Sequence, residues 1–225
     1  MPCWEECRCS IKIIKANMLQ FITKESDRFS LPELVQMVIE GGCRWVQLRL
    51  KEVSDAEVRQ AAEEIIPLCR ETDTFLIIDD RVNVVNELKV SGVHLGSEDM
   101  SPGEARELLG PHAIIGETCH TAREIIALKG LDIDYIGLGP FRHTTTKKNL
   151  APVLGVDGYE NIIQEVRNAG VETPIVAIGG ITLDDVEPIM STGVNGLAVC
   201  GAIADAHDPV EATAEFIEKL NKYMQ

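Results

Sequence analysis

A single (β/α)8 TIM barrel is the fold this chain predicts, and three observations predict it. Short apolar runs suited to buried strands alternate with amphipathic stretches suited to helices, and eight such pairs follow one another. Helical stretches open on Ser/Thr-x-x-Glu patterns at Ser30–Glu33, Ser54–Glu57, Ser101–Glu104 and Thr121–Glu124, the signature of capped N-termini. Polar residues then collect where one strand after another ends, which is where such barrels build their sites. No change of composition marks a linker. Residues 18–225 therefore read as one barrel domain, preceded by an N-terminal extension, residues 1–17. An open dinucleotide-binding sheet is the alternative. No G-x-G-x-x-G follows the first strand, which counts against it.

In order, Met18–Thr23 is the first strand, and Ile11–Ile14 either extends it or forms a separate edge piece. The helix after Ser30 carries Leu34, Val35, Val38 and Ile39 on one face and stops at Gly41-Gly42. Trp45–Lys51 is the second strand. Val46, Leu48 and Leu50 point one way, and Gln47, Arg49 and Lys51 the other. Both faces of a barrel sheet are covered, so three long polar side chains on one face must lie near the open end or bind something. A helix on Val58, Ala61, Ala62, Ile65 and Cys69 follows, then strand three, Phe75–Ile78, ending in Asp79-Asp80. After a short helix over 82–88, Gly92–Gly96 is strand four, with Glu98 and Asp99 beyond it. Strand five is Ala113–Gly116, running out into Glu117-Thr118-Cys119-His120. Tyr135–Leu138 is strand six, 158–168 a helix, Pro174–Gly180 strand seven with its glycine turn, and Thr182 the cap of the next helix. Gly196–Cys200 is strand eight, and the last helix runs over 209–223.

Composition narrows the function. A net charge of −15 argues against a nucleic-acid surface and demands that any phosphate be met by locally concentrated cations or a divalent ion. The seven cysteines are odd in number, and Cys43, Cys69, Cys119 and Cys200 lie singly in apolar runs, which fits a reducing compartment better than a disulfide framework. Cys3, Cys7 and Cys9 lack a second pair at zinc-ligand spacing. The first residues lack a signal-peptide core, and no apolar run approaches the roughly 20 residues of a membrane span. The expectation is a soluble, cytoplasmic protein with no membrane partner; its oligomeric state is left open.

After strand six comes the most unusual stretch, Gly137-Leu-Gly-Pro-Phe-Arg-His-Thr-Thr-Thr-Lys-Lys148. Hydroxyls, backbone amides and lysines suit phosphate oxygens, although the pattern is not a P-loop. A solvated polar loop is the plainer reading, as an N-cap is for Asp79-Asp80 and a turn for Gly179-Gly180. Their joint placement at successive strand ends favours a site. Glycine turns after strands seven and eight suit a phosphate. Asp80 and Asp99 are hard oxygen donors suited to Mg²⁺ shared with substrate phosphates. Arg49, Lys51 and Lys147 would neutralise a more highly charged group. His94, inside an apolar strand, reads as a core residue. His120 reads as either an acid/base or an orienting residue.

These residues resemble the thiamine phosphate synthase (thiamine-phosphate pyrophosphorylase) family. The resemblance rests on Gln47-Leu-Arg-Leu-Lys51, Asp79-Asp-Arg81, Gly92–Gly96, Glu98-Asp99, Gly137–Pro140, Thr144-x-Thr-Lys147, Ile178–Ile181 and Val199–Ile203. It implies a transferase that joins a hydroxymethylpyrimidine diphosphate to a thiazole phosphate, with small-molecule substrates and Mg²⁺. It also implies that Gln47, Leu48, Arg49, Leu50, Lys51, Asp79, Thr118 and Lys147 surround the pyrimidine diphosphate, and that Arg49, Lys51, Thr118 and Lys147 act in catalysis. Asp80 and Asp99 would hold the metal, and Thr144, Thr145, Thr146, Gly180, Cys200 and Gly201 the thiazole phosphate. The family usually has Asn, Ser and Ser where this chain has Asp79, Thr118 and Gly201. A sister family of thiazole tautomerases shares the barrel and uses a histidine after strand five, the place of His120. A non-catalytic sensor of phosphorylated thiamine precursors is the third reading.

Overall fold

The eight apolar runs become eight parallel strands, each hydrogen-bonded to the next and the last to the first, so the sheet closes into a barrel. The computed structural model describes residues 18–143 and 152–223. The strands are β1 (Leu19–Ile22), β2 (Trp45–Leu48), β3 (Phe75–Asp79), β4 (Gly92–Leu95), β5 (Ile114–Cys119), β6 (Tyr135–Leu138), β7 (Ile175–Ile178) and β8 (Gly196–Val199). Between and after them lie α1 (Leu31–Glu40), α2 (Asp55–Glu71), α3 (Val82–Leu88), α4 (Pro102–Leu109), α5 (Ala122–Ala127), α6 (Gly155–Asn168), α7 (Val186–Met190), α8 (Gly201–Ala204) and α9 (Pro209–Asn221). The capping boxes at Ser30, Ser54, Ser101 and Thr121 all form. Thr182 caps a 3-10 turn, Leu183–Asp185, that leads into α7.

Two layers of core follow from the alternation of side chains along each strand. The inner layer fills the barrel with Ile22, Trp45, Ile77, Ile114, Tyr135, Val176 and Ala198. Trp45 and Tyr135 meet edge to face at 4.8 Å and plug its base. The outer layer packs the other strand faces, including Val46, Leu48, Ile78 and Leu95, against the helices.

Some boundaries differ from the sequence reading, for reasons of hydrogen bonding. β2 stops at Leu48 because the Arg49 amide leaves the ladder for the Thr23 hydroxyl at 3.0 Å. β5 continues to Cys119 because β6 accompanies it that far, Leu138 beside Cys119. β7 ends at Ile178 because Gly179 and Gly180 turn into the left-handed region, φ 101° and 68°. α6 begins at Gly155, earlier than expected. The region Ile11–Ile14 and the residues Cys3, Cys7 and Cys9 lie outside the described residues.

Candidate active site

One cavity of about 720 Å³ opens at the C-terminal ends of the strands. Gln47, Arg49, Lys51, Asp79, Asp80, Asp99, Thr118, Gly180, Cys200 and Gly201 all line it, so the structure brings these expected residues together. Leu48 and Leu50 do not line it. Strand alternation turns them to the outer layer, where Leu48 is fully buried and Leu50 packs alongside. Thr144, Thr145, Thr146 and Lys147 lie outside the described residues.

The β2–β3 side of the cavity is charged and tightly paired. Gln47 Nε2 donates to Asp79 Oδ1 at 2.7 Å. Lys51 Nζ lies 2.8 Å and Arg49 Nε 3.5 Å from Asp79 Oδ2, and Lys51 also reaches Asp80. Asp79 thus sits buried beneath the cations it orients. Burial opposes the charge on Lys51, but the charge and hydrogen bond of Asp79, with Asp80, outweigh it and raise the ammonium pKa. Asp80 adopts φ 63°, a left-handed conformation costing about 1 kcal/mol for a residue with a Cβ, and its amide is held by the His94 carbonyl at 2.9 Å. Burial would raise the Asp80 carboxyl, but hydrogen bonds from Lys51 and Asp99 and the charge of Lys51 lower it. Asp99 moves the other way. Burial raises it, and the neighbouring Asp80 adds to that, although the Gly96 amide donates to it at 2.8 Å. Asp80 and Asp99 thus face each other as a hard oxygen pair of a kind suited to a divalent cation. Among the described residues, no group of three or more His, Cys, Asp or Glu side chains could hold a metal.

The floor carries a polar chain that the sequence did not reveal. Gln20 Nε2 donates to the Tyr135 hydroxyl at 3.1 Å. That hydroxyl lies 2.9 Å from His94 Nδ1, and His94 Nε2 lies 2.8 Å from the Thr118 hydroxyl. With the phenol donating onward, His94 donates to Thr118, whose own proton then serves a ligand. His94 is buried, as expected, but it also lines the cavity and orients Thr118. Room for its ring comes from Gly116 and Gly137, where a Cβ would approach it to 2.6 and 3.1 Å. The small residues opposite a strand histidine were the available signal.

The β7–β8 side is built of turns. Gly179 and Gly180 are stitched to the segment after β6 through Phe141 N to Ile178 O and Arg142 N to Gly179 O, both 2.9 Å. The Arg142 guanidinium bonds the Gly180 carbonyl and both oxygens of Asp185. Beside them α8 begins at Gly201, with the Ile203 and Ala204 amides turned back onto the Cys200 carbonyl at 3.1 and 2.9 Å. Burial pushes the Cys200 thiol up to about 11, against the charges of Lys24 and Arg49, so it stays neutral. His120 Nδ1 donates to the Gly139 carbonyl at 2.5 Å, which fixes its ring at the cavity edge.

Comparison with known proteins follows the same lines. Residues 19–203 match the family described as thiamine monophosphate synthase. The chain is 49% identical over 199 residues to a thiamine-phosphate synthase of Bacteroides fragilis, covering 88% of this chain and 98% of the relative. It is 47% identical to that of Bacteroides thetaiotaomicron, covering 88% and 95%. A solved thiamine phosphate pyrophosphorylase from Pyrococcus furiosus superposes with a TM-score of 0.82 at 30% identity, over 95% of this chain and all of that one. Family match, identity over most of both chains and shared barrel agree: this chain belongs to the thiamine monophosphate synthase family.

Proposed function

We propose that the cavity forms thiamine phosphate from a hydroxymethylpyrimidine diphosphate and a thiazole phosphate. The observation that carries this is one cavity lined by two differently built sets of residues, each suited to an anion. Arg49 and Lys51, set over Asp79 and beside Asp80 and Asp99, suit a diphosphate. Gly179-Gly180 and the start of α8 suit a phosphate monoester. Gln47 Oε1, a buried acceptor with no partner among the described residues, suits an N–H of the pyrimidine.

The reaction is charge separation followed by capture. The pyrimidine methylene loses pyrophosphate, and the thiazole nitrogen attacks the resulting cation with its lone pair. Negative charge grows on the departing oxygens, so Arg49 and Lys51 stabilise the transition state more than the bound substrate. Thr118, held by His94, donates its proton to the bound diphosphate. Asp80 and Asp99 would hold Mg²⁺, which supplies further charge neutralisation when bound. By resemblance alone, Lys147 joins the cations, and Thr144, Thr145 and Thr146 join Gly180, Cys200 and Gly201 around the thiazole phosphate. The free cysteines Cys43, Cys69, Cys119 and Cys200 support a reducing, cytoplasmic setting. Among the described residues, no helix is long and apolar enough to cross a membrane.

Pyrophosphate release from the two precursors tests the metal assignment. It is expected to need Mg²⁺, to stop in excess chelator and to fall at least about 10²-fold in Asp99→Ala. Full turnover in chelator contradicts the assignment.

A further inference from the structure

The cations lining the described part of the cavity divide unequally. Arg49 and Lys51 are committed to Asp79 and Asp80 on the β2–β3 side. Lys24, just past β1, is the remaining lysine or arginine of the lining, and it stands on the other side. β1 pairs with β8, Phe21 beside Val199, which carries the loop after β1 to the start of α8. There Lys24 Nζ meets both carboxylate oxygens of Asp205 at 2.8 Å. Asp205 follows α8 and folds back over it: a Cβ on Gly201 would lie 3.2 Å from Asp205 Oδ2. Arg28 fastens the same two loops, donating to the carbonyls of Ala206 at 2.7 Å and His207 at 2.8 Å. The Lys24 ammonium is therefore held at the mouth of the turn-built anion site by a carboxylate that lies beside α8.

We propose that Lys24 is a specificity-determining cation for the phosphate monoester of the second substrate, and that Asp205 holds it in place until that phosphate arrives. This rests on the placement of the thiazole phosphate proposed above. A phosphate monoester carries close to two negative charges near neutral pH, and a carboxylate carries one. It can therefore draw the flexible lysine away from Asp205. The displaced carboxylate, whose side chain is 60% exposed, is rehydrated. A substrate lacking the phosphate cannot make this exchange and meets Asp205 instead. The pair thus favours a phosphorylated over an unphosphorylated thiazole without contacting the reacting atoms.

Steady-state kinetics of the full chain with both precursors and Mg²⁺ test this. Lys24→Ala should raise KM for the thiazole phosphate at least about tenfold, with kcat at saturation and KM for the pyrimidine diphosphate within about twofold. Asp205→Asn should lower KM for the thiazole phosphate about threefold, and by less when Lys24 is also alanine. Unphosphorylated thiazole alcohol, assayed as a competitor, should bind Lys24→Ala as well as wild type. Ala202→Asp, which adds a carboxylate to the same lining, serves as the check on the site itself and should raise the same KM. If Lys24→Ala leaves that KM unchanged while Ala202→Asp raises it, the role of Lys24 is overturned and the phosphate site stands. If neither variant changes it, the placement of the phosphate falls and the proposal with it.

Discussion

Asp79 turns from a departure into a working part once its neighbours are known. A carboxylate beside a diphosphate should repel it, and an asparagine is usual in the family. Here Gln47, Arg49 and Lys51 all converge on Asp79, so its charge is neutralised inside the wall and its oxygens fix where the cations stand. Asp79→Asn keeps one acceptor oxygen, enough for Gln47, gives up the one facing Lys51, and removes one negative charge. The expected kcat/KM stays within about threefold of wild type or rises, whereas Asp79→Leu, which releases all three side chains, should lose about 10²-fold. A steep loss in Asp79→Asn would show that the charge itself is needed. The inward set Gln47, Arg49 and Lys51 was legible because a two-residue period exposes a polar face directly. The part played by His94 was not, because Thr118 and Tyr135 reach it from 24 and 41 residues away, and no local pattern carries such a contact.

Among the strands, β5 shows where reading by element fails. On its inner face Gly116 makes room for His94 and Thr118 lines the cavity, while Ile115 and Cys119 join the outer layer. Glu117 lies on that outer side, registered between Leu95 and Ile136, buried, with Oε2 unpartnered among the described residues. Burial, aided by the charge of Asp99, pushes its carboxyl up to about 7 from an ordinary value of 4.5. Below about pH 4.5 the folded and unfolded chains are both protonated here, and the group costs nothing. Between 4.5 and 7 only the unfolded chain releases the proton, so stability falls as pH rises; above 7 the full cost is present. Glu117→Gln cannot ionise. It should be more stable than wild type by about 2–3 kcal/mol at pH 8, a gap that closes toward pH 4.5. Thermal unfolding of both proteins across pH 4.5–8 measures it, and a constant gap would refute the burial argument. The sequence reading ended this strand at Gly116 and left Glu117 in the run-out beyond it, so the burial of the carboxylate within β5 was not legible.

For the whole molecule, alternating runs and capping patterns were enough to reach the closed barrel, because each helix start is specified locally and each strand is buried on both faces. Strand ends were less legible, since the Thr23 hydroxyl and the length of β6 decide where β2 and β5 stop. The overall charge of −15 does not forbid anionic substrates, because Lys24, Arg49 and Lys51 are gathered at one mouth. The most direct test of the account is product formation. Purified protein is incubated with the pyrimidine diphosphate, the thiazole phosphate and Mg²⁺, and thiamine phosphate is quantified for wild type and His120→Ala. Coupling moves no proton at the thiazole nitrogen, so both should form thiamine phosphate, His120→Ala at no less than about one tenth of the wild-type rate. Absence of thiamine phosphate, together with aromatisation of a thiazole tautomer that His120→Ala abolishes, would contradict it.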